Sequence, residues 1–210
     1  MTLMKYREID LNTYPRKGQF DYFESLAYPY VGVTVKVDIS DFAKKVKERS
    51  LPFFLSFLYQ IGRAADAVPE FRQRVVGGHL IEYEICLCSY TVSLPDNTYC
   101  YCDVPTDMPF DDFLLNAQKL QDEAIQNPSV VDEDPLPLYF ISCVPWLHYE
   151  SLIQPTPSPA DYNPRLTFGK YREENGKLLI PVSVLVNHAL CDGYHINAFF
   201  DALNNLLAKF

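Results

Sequence analysis

The sequence predicts an α+β fold, a mixed and largely antiparallel sheet with helices packed on it. Three observations carry this expectation. Strand-like and helix-like segments are interspersed without the regular βαβ alternation of a doubly wound sheet, no Gly-rich phosphate loop follows a strand, and Asn175-Gly176 sits between two strand-like arms near the C terminus as a hairpin turn. A chain of 210 residues fits one sizeable domain or two small ones, and it is long enough to bury a real core.

The elements follow in order. Val31, Val33, Val35 and Val37 alternate with polar residues within 28–40 and predict a half-buried strand. Ser40 stands where it would cap a short helix through Arg49. Pro52 suits the first turn of a further helix, whose apolar stripe is Phe54, Phe57, Leu58, Ile61, Ala64, Ala65 and Val68, with Pro69 ending it. Residues 77–94 read as two or more strands; a Pro-Asp-Asn turn at 95–97 then leads into another, 98–104. The segment from Pro109 to Asn127 is an amphipathic helix with Asp111 and Asp112 favourable to its dipole. An acidic, proline-broken loop at 127–137 precedes the strand "LYFISCVPW", and the four prolines of 154–164 exclude regular structure there. The hairpin of 166–187 ends at Asn187-His188, and after Gly193 the stripe Ile196, Phe199, Phe200, Leu203, Leu206, Leu207 and Phe210 predicts a packed final helix.

The net charge of −9 argues against a nucleic-acid partner, which needs a broad basic footprint. Neither an N-terminal apolar leader nor a membrane-length apolar run is present, so a soluble, cytoplasmic protein with reduced cysteines is expected. Cys86/Cys88 and Cys100/Cys102 form two C-x-C pairs, but zinc sites use longer spacings and i, i+2 in a strand share a face; free buried thiols and no metal are expected.

Four histidines exist. His79 follows two glycines and reads as a solvated turn residue, His148 follows Trp146-Leu147, and His195 falls in the first turn of the last helix and reads as partly packed. His188 stands where a strand exits into a turn, with Asp192 and Gly193 close behind. Imidazole is the natural general base near neutral pH, and strand exits are where scaffolds carry functional groups. Gly193 is a position where an unusual backbone conformation is expected. By itself the His-x-x-x-Asp-Gly spacing also fits a plain strand–turn–helix junction.

The motif does not stand by itself. "VNHALCDGYHINAF", "ISCVPWLHYES", "FGKYREENGKLLIPVSV" and "TYPRKGQFDYF" occur in an order and spacing that resembles the chloramphenicol acetyltransferases over nearly the whole chain. The resemblance implies a single domain spanning 1–210, an acetyl-CoA-dependent O-acetyltransferase, homotrimeric, with acetyl-CoA as co-substrate, a small hydroxylated molecule as acceptor and each active site between two subunits. It implies that His188 is the base, oriented by a hydrogen bond from its other ring nitrogen to its own carbonyl, and that Asp192 pairs with Arg16. It also implies that Ser142 donates to the tetrahedral oxyanion, that Thr167 holds an ordered water, and that Trp146 lies near the acetyl and pantetheine end. Lys170 and Tyr171 match a pair near the coenzyme's adenosine end, and Tyr22 and Phe23 match acceptor-side aromatics. Phe23 stands where the family has a tyrosine, and Leu152, Gln154 and Ser93-Leu94 also depart from it. Three readings follow: acetyl transfer to chloramphenicol, acyl transfer to another hydroxylated acceptor on the same fold, or a non-catalytic trimeric binding protein. The related condensation domains and lipoyl acyltransferases fit less well.

Overall fold

The computed structural model describes residues 5–130 and 137–210. The expected acidic proline loop falls partly on 131–136, and the expected absence of a leader partly on 1–4, both outside the described residues. Ten strands and five helices are described. A small antiparallel sheet runs β1 (Tyr6–Ile9), β4 (His79–Tyr83), β3 (Gln73–Val76). The large sheet has seven strands, in the order β2 (Tyr30–Asp38), β10 (Lys177–Asn187), β8 (Arg165–Gly169), β7 (Leu138–Val144), β5 (Leu87–Ser93), β6 (Tyr99–Val104), with β9 (Arg172–Glu174) also on β10. Only β5–β7 and β7–β8 are parallel, so the sheet is mixed and largely antiparallel. The helices are α1 (Lys17–Glu24), α2 (Ser40–Glu48), α3 (Phe53–Asp66), α4 (Phe110–Gln126) and α5 (Gly193–Lys209).

Local sequence accounts for the turns that set the registers. Asn175 and Gly176 adopt φ of 53° and 77°, the pair of positive values a two-residue hairpin needs, and Glu174 faces Lys177 across it. Gly77 and Gly78, at 58° and 83°, do the same between β3 and β4.

The period-2 alternation divides the large sheet into unlike faces. One carries Cys88, Tyr90, Val92, Ile141, Leu166, Phe168, Val182 and Val184, all buried. The apolar stripes of α3 and α5 supply the other side of this core; Phe57, Leu58, Ile61, Phe199 and Leu203 are wholly buried, each such side chain contributing on the order of 1.5–3 kcal/mol. Phe57 meets Phe168 edge-on at 5.0 Å, and Phe71 stacks on Phe199 at 5.7 Å. The opposite face presents Ser89, Thr91, Ser142, Arg165, Thr167 and Ser183, and a groove opens over part of it.

Three expectations need correction, and one strand was not expected. Val33 and Val35 are 44% and 38% exposed, because β2 is the sheet's edge strand; of the alternating set Val37 is buried in the core and Val31 packs half-buried against it. Ser40 is the first residue of α2 rather than its cap; the Asp38 carboxylate accepts from Ser40 N–H at 3.1 Å, and Ser40 Oγ instead accepts from Leu178 N–H at 2.8 Å. The strand β3 at Gln73–Val76 was not foreseen, since Arg74 interrupts its pattern; Arg74 is buried and saturated by Asn163 Oδ1 and the carbonyls of Phe71, Gln73 and Leu138. Gly193 has an ordinary backbone, and a Cβ there would meet nothing.

Cys86, Cys88, Cys100, Cys102 and Cys191 are buried and Cys143 half-buried, none in a disulfide. No helix among the described residues is long and apolar enough to cross a membrane.

Candidate active site

His188 follows the last residue of β10, and its N–H donates to Pro29 O at 2.6 Å. Its ring has two constraints. Nδ1 lies 2.8 Å from Cys191 O, and Phe23 stacks on the ring face at 3.7 Å between centroids and 14° between planes. A carbonyl can only accept, so Nδ1 carries the proton and Nε2 keeps a free lone pair, the form a general base requires. The partner differs from the one the resemblance implied, which was the residue's own carbonyl. That carbonyl instead faces Arg16 Nη2 at 3.5 Å, and the 188–191 turn brings the Cys191 carbonyl to the ring.

Arg16, just before α1, pairs with Asp192, the N-cap of α5. Asp192 Oδ1 also accepts from Tyr194 N–H at 2.9 Å. Burial raises the Asp192 carboxyl, but the hydrogen bonds from Arg16 and Tyr194 outweigh it, and the group titrates below the usual range. Tyr22 is exposed, its ring edge-on to Phe23 at 5.0 Å.

Ser142 and Thr167 belong to a separate place. They are register partners on β7 and β8 and line a groove of about 410 Å³ with Leu152, Gln154 and Arg165. The Thr167 hydroxyl donates to Gln154 Oε1 at 3.3 Å, which leaves its oxygen lone pairs to accept. Among the described residues, Arg165 is the one charged lining residue. It donates to both Asp161 oxygens, at 2.8 and 3.0 Å, with its guanidinium 5.7 Å from the Tyr30 ring and 5.3 Å from that of Phe140. Sequence reasoning missed Arg165, whose setting in "NPRLTFG" reads as an ordinary strand residue.

A third group lies at the turn after β7. Trp146 is 77% exposed. Lys170 N–H donates to Leu147 O at 2.7 Å, which breaks the strand between β8 and β9, and Lys170 O is 2.9 Å from His148 Nδ1. Tyr171 packs on Phe53 at 5.2 Å.

The sheet register measures how far apart these groups are. Ser142 is level with Thr167, and Thr167 with Ser183. His188 lies five residues beyond Ser183 and two strands across, which puts it roughly 19 Å from Ser142 at ordinary strand rise and spacing. One chain thus brings His188, Phe23, Arg16 and Asp192 together, and Ser142, Thr167 and Gln154 together, but not the two groups.

A family model described as "Chloramphenicol acetyltransferase" matches residues 4–204. A chloramphenicol acetyltransferase of Campylobacter coli is 34% identical, covering 98% of this chain and all of its own. One of Escherichia coli, chloramphenicol acetyltransferase 3, is 26% identical over 97% of both. Among solved structures, a chloramphenicol acetyltransferase superposes with a TM-score of 0.84 at 24% identity, covering 97% of this chain and all of its own. A dihydrolipoamide acetyltransferase of Azotobacter vinelandii gives 0.68 at 18% identity, over 91% and 86%.

Proposed function

Because the chain belongs to the chloramphenicol acetyltransferase family and is an acyltransferase, we propose that it moves the acetyl group of acetyl-CoA to a hydroxyl of chloramphenicol or a similar small molecule, in sites shared between copies of a homotrimer. The observation that carries this reading is the His188 tautomer: Nδ1–H is spent on Cys191 O, so Nε2 is left to take a proton.

In this reading Nε2 removes the acceptor's hydroxyl proton as that oxygen attacks the thioester carbon. The thioester oxygen gains negative charge and accepts from the Ser142 hydroxyl, a contact of a kind worth about 3–4 kcal/mol in the transition state. On collapse the carbon–sulfur bond breaks, and the imidazolium returns its proton to the departing thiolate. Phe23 holds the imidazole plane throughout. A base and an oxyanion donor must each lie about 3 Å from atoms of one tetrahedral centre. The roughly 19 Å between His188 and Ser142 within one chain therefore supports His188 of one copy meeting Ser142 of a neighbour. Lys170, Tyr171 and Trp146 are assigned to the coenzyme, Thr167 and the groove to the acceptor.

A second acceptor class is favoured by one observation. Gln154 places one amide in an otherwise largely apolar groove wall, at a position where the resemblance puts an apolar residue, which suits an acceptor with a polar group there that chloramphenicol lacks. The test is thiol release from acetyl-CoA with and without chloramphenicol, followed by a panel of primary alcohols. Acceptor-dependent release that His188→Ala lowers by roughly 10²–10⁴-fold supports the reading, and wild-type release in that variant refutes it.

A further inference from the structure

His195 is almost completely buried, at 7% exposure, two turns of sequence from the base and without contact to the groove. Its Nδ1 accepts from Asp192 N–H at 3.0 Å, and Asp192 in turn accepts from the first turn of α5, so the two residues cap the helix reciprocally. With Nδ1 accepting, the ring proton sits on Nε2, which faces Glu70 Oε1 at 3.6 Å. His195 holds the Glu70 carboxyl below its ordinary range, ahead of the opposing effect of burial. Glu70 belongs to the 3₁₀ turn Pro69–Arg72, and its backbone carbonyl also receives the Cys191 thiol at 3.7 Å. Asp192 Oδ1 lies 2.9 Å from Nδ1 and is occupied by Tyr194 N–H, while Oδ2 is held by Arg16.

These contacts close a loop around the turn that carries the base. The Cys191 carbonyl that fixes the His188 tautomer sits next to Asp192, whose N–H is held by His195 and whose carboxylate is held by Arg16. From this geometry we infer that His195, braced by Glu70, is a positioning residue for the reaction: it pins the 191–192 peptide so that the Cys191 carbonyl stays on His188 Nδ1 and Nε2 stays aimed at the acceptor. The inference rests on His188 being the base. Nothing in the ordinary reading of an N-terminal helix residue requires it, because a packed apolar side chain would fill the same place.

The experiment compares steady-state kinetics of the intact protein with His195→Leu and His195→Gln, on samples shown to be folded by circular dichroism and thermal melting. Leu keeps the volume and loses the acceptor. Gln at the third helical position reaches back to the cap N–H and restores it. The expected result for His195→Leu is a kcat lower by about 10²-fold, the effect of roughly 1 Å of misplacement at a reacting group, with the KM for acetyl-CoA within about two-fold. His195→Gln returns kcat to within a few-fold. If His195→Leu does not fold, Glu70→Ala at its partly exposed position is expected to lower kcat in the same direction with KM unchanged. A wild-type kcat in His195→Leu or Glu70→Ala overturns the inference, and so does a loss that Gln fails to restore or one that appears in KM alone. His188→Ala is run in parallel. If it is inactive while His195→Leu is fully active, only the positioning role falls; if it is active, the base assignment falls and this inference with it.

Discussion

Replacing Arg16 by Ala removes the guanidinium paired with Asp192 and frees the His188 carbonyl. Breaking a buried ion pair costs about 3–5 kcal/mol, but Asp192 is 35% exposed and water screens part of that charge, so about 1–3 kcal/mol is expected. For a chain of this length that is a fall in Tm of about 2–12 °C. The pH dependence gives a second handle. The folded Asp192 carboxyl titrates below its unfolded value, so its contribution is present above the usual carboxylate pKa and is lost as the pH falls through the folded value. Arg16→Ala therefore costs most near neutral pH and progressively less in acid. Activity should fall with stability, because the turn bearing His188 loses one of its two clamps, and Arg16→Lys should recover only part of it, lacking the planar fork. Thermal melts at pH 7.5 and 3.5 with parallel thiol-release rates measure all three. An Arg16→Ala protein with unchanged Tm, the same acid limb and wild-type turnover would refute the reasoning.

Two further outcomes follow from particular side chains. Burial raises the Asp66 carboxyl to about 6, although Tyr139 and the Cys86 N–H bond its charged form, so stability is lost as the pH rises from about 4 through 6. Asp66→Asn keeps an oxygen for both donors and should flatten that loss, read as a Tm difference between pH 4 and pH 7.5 smaller than in the parent; an unchanged difference counts against a buried, proton-linked Asp66. Chloramphenicol should be a poorer acceptor here than for the resistance enzymes, and Gln154→Leu, which removes the amide bonded to Thr167, should raise its kcat/KM by about 10-fold or more relative to a polar alcohol. Equal ratios before and after would show that Gln154 does not select the acceptor.

Much of this was legible because the relevant signals are local. The positive-φ pair at Asn175-Gly176, the stripes of α3 and α5, and the exit of β10 at Asn187-His188 each depend on a few adjacent residues. What escaped depends on residues far apart in sequence. Arg165 finds Asp161, Tyr30 and Phe140 only in the folded sheet, and Arg74 is tolerated in β3 only because three carbonyls and Asn163 converge on it. The partner of His188 Nδ1 turned out to be Cys191 O, since the course of the 188–192 turn, not the motif letters, decides which carbonyl the ring reaches. His195 reads as partly packed because it falls in the first turn of α5; its acceptor role follows only from where Asp192 N–H points. Pairing of Arg16 with Asp192, 176 residues apart, came from the resemblance alone.

The central claim is that one active site takes His188 from one copy and Ser142 from another. His188→Ala and Ser142→Ala chains, each expected to lose about 10²-fold or more, are unfolded together in equal amounts, refolded and assayed for acetyl transfer. In a mixed trimer, one of the three sites pairs an intact His188 with an intact Ser142, so random assembly should recover about a quarter of wild-type activity, a consequence of closed cyclic symmetry. Activity no higher than that of the two separate variants would place both residues in one chain's site and contradict the account.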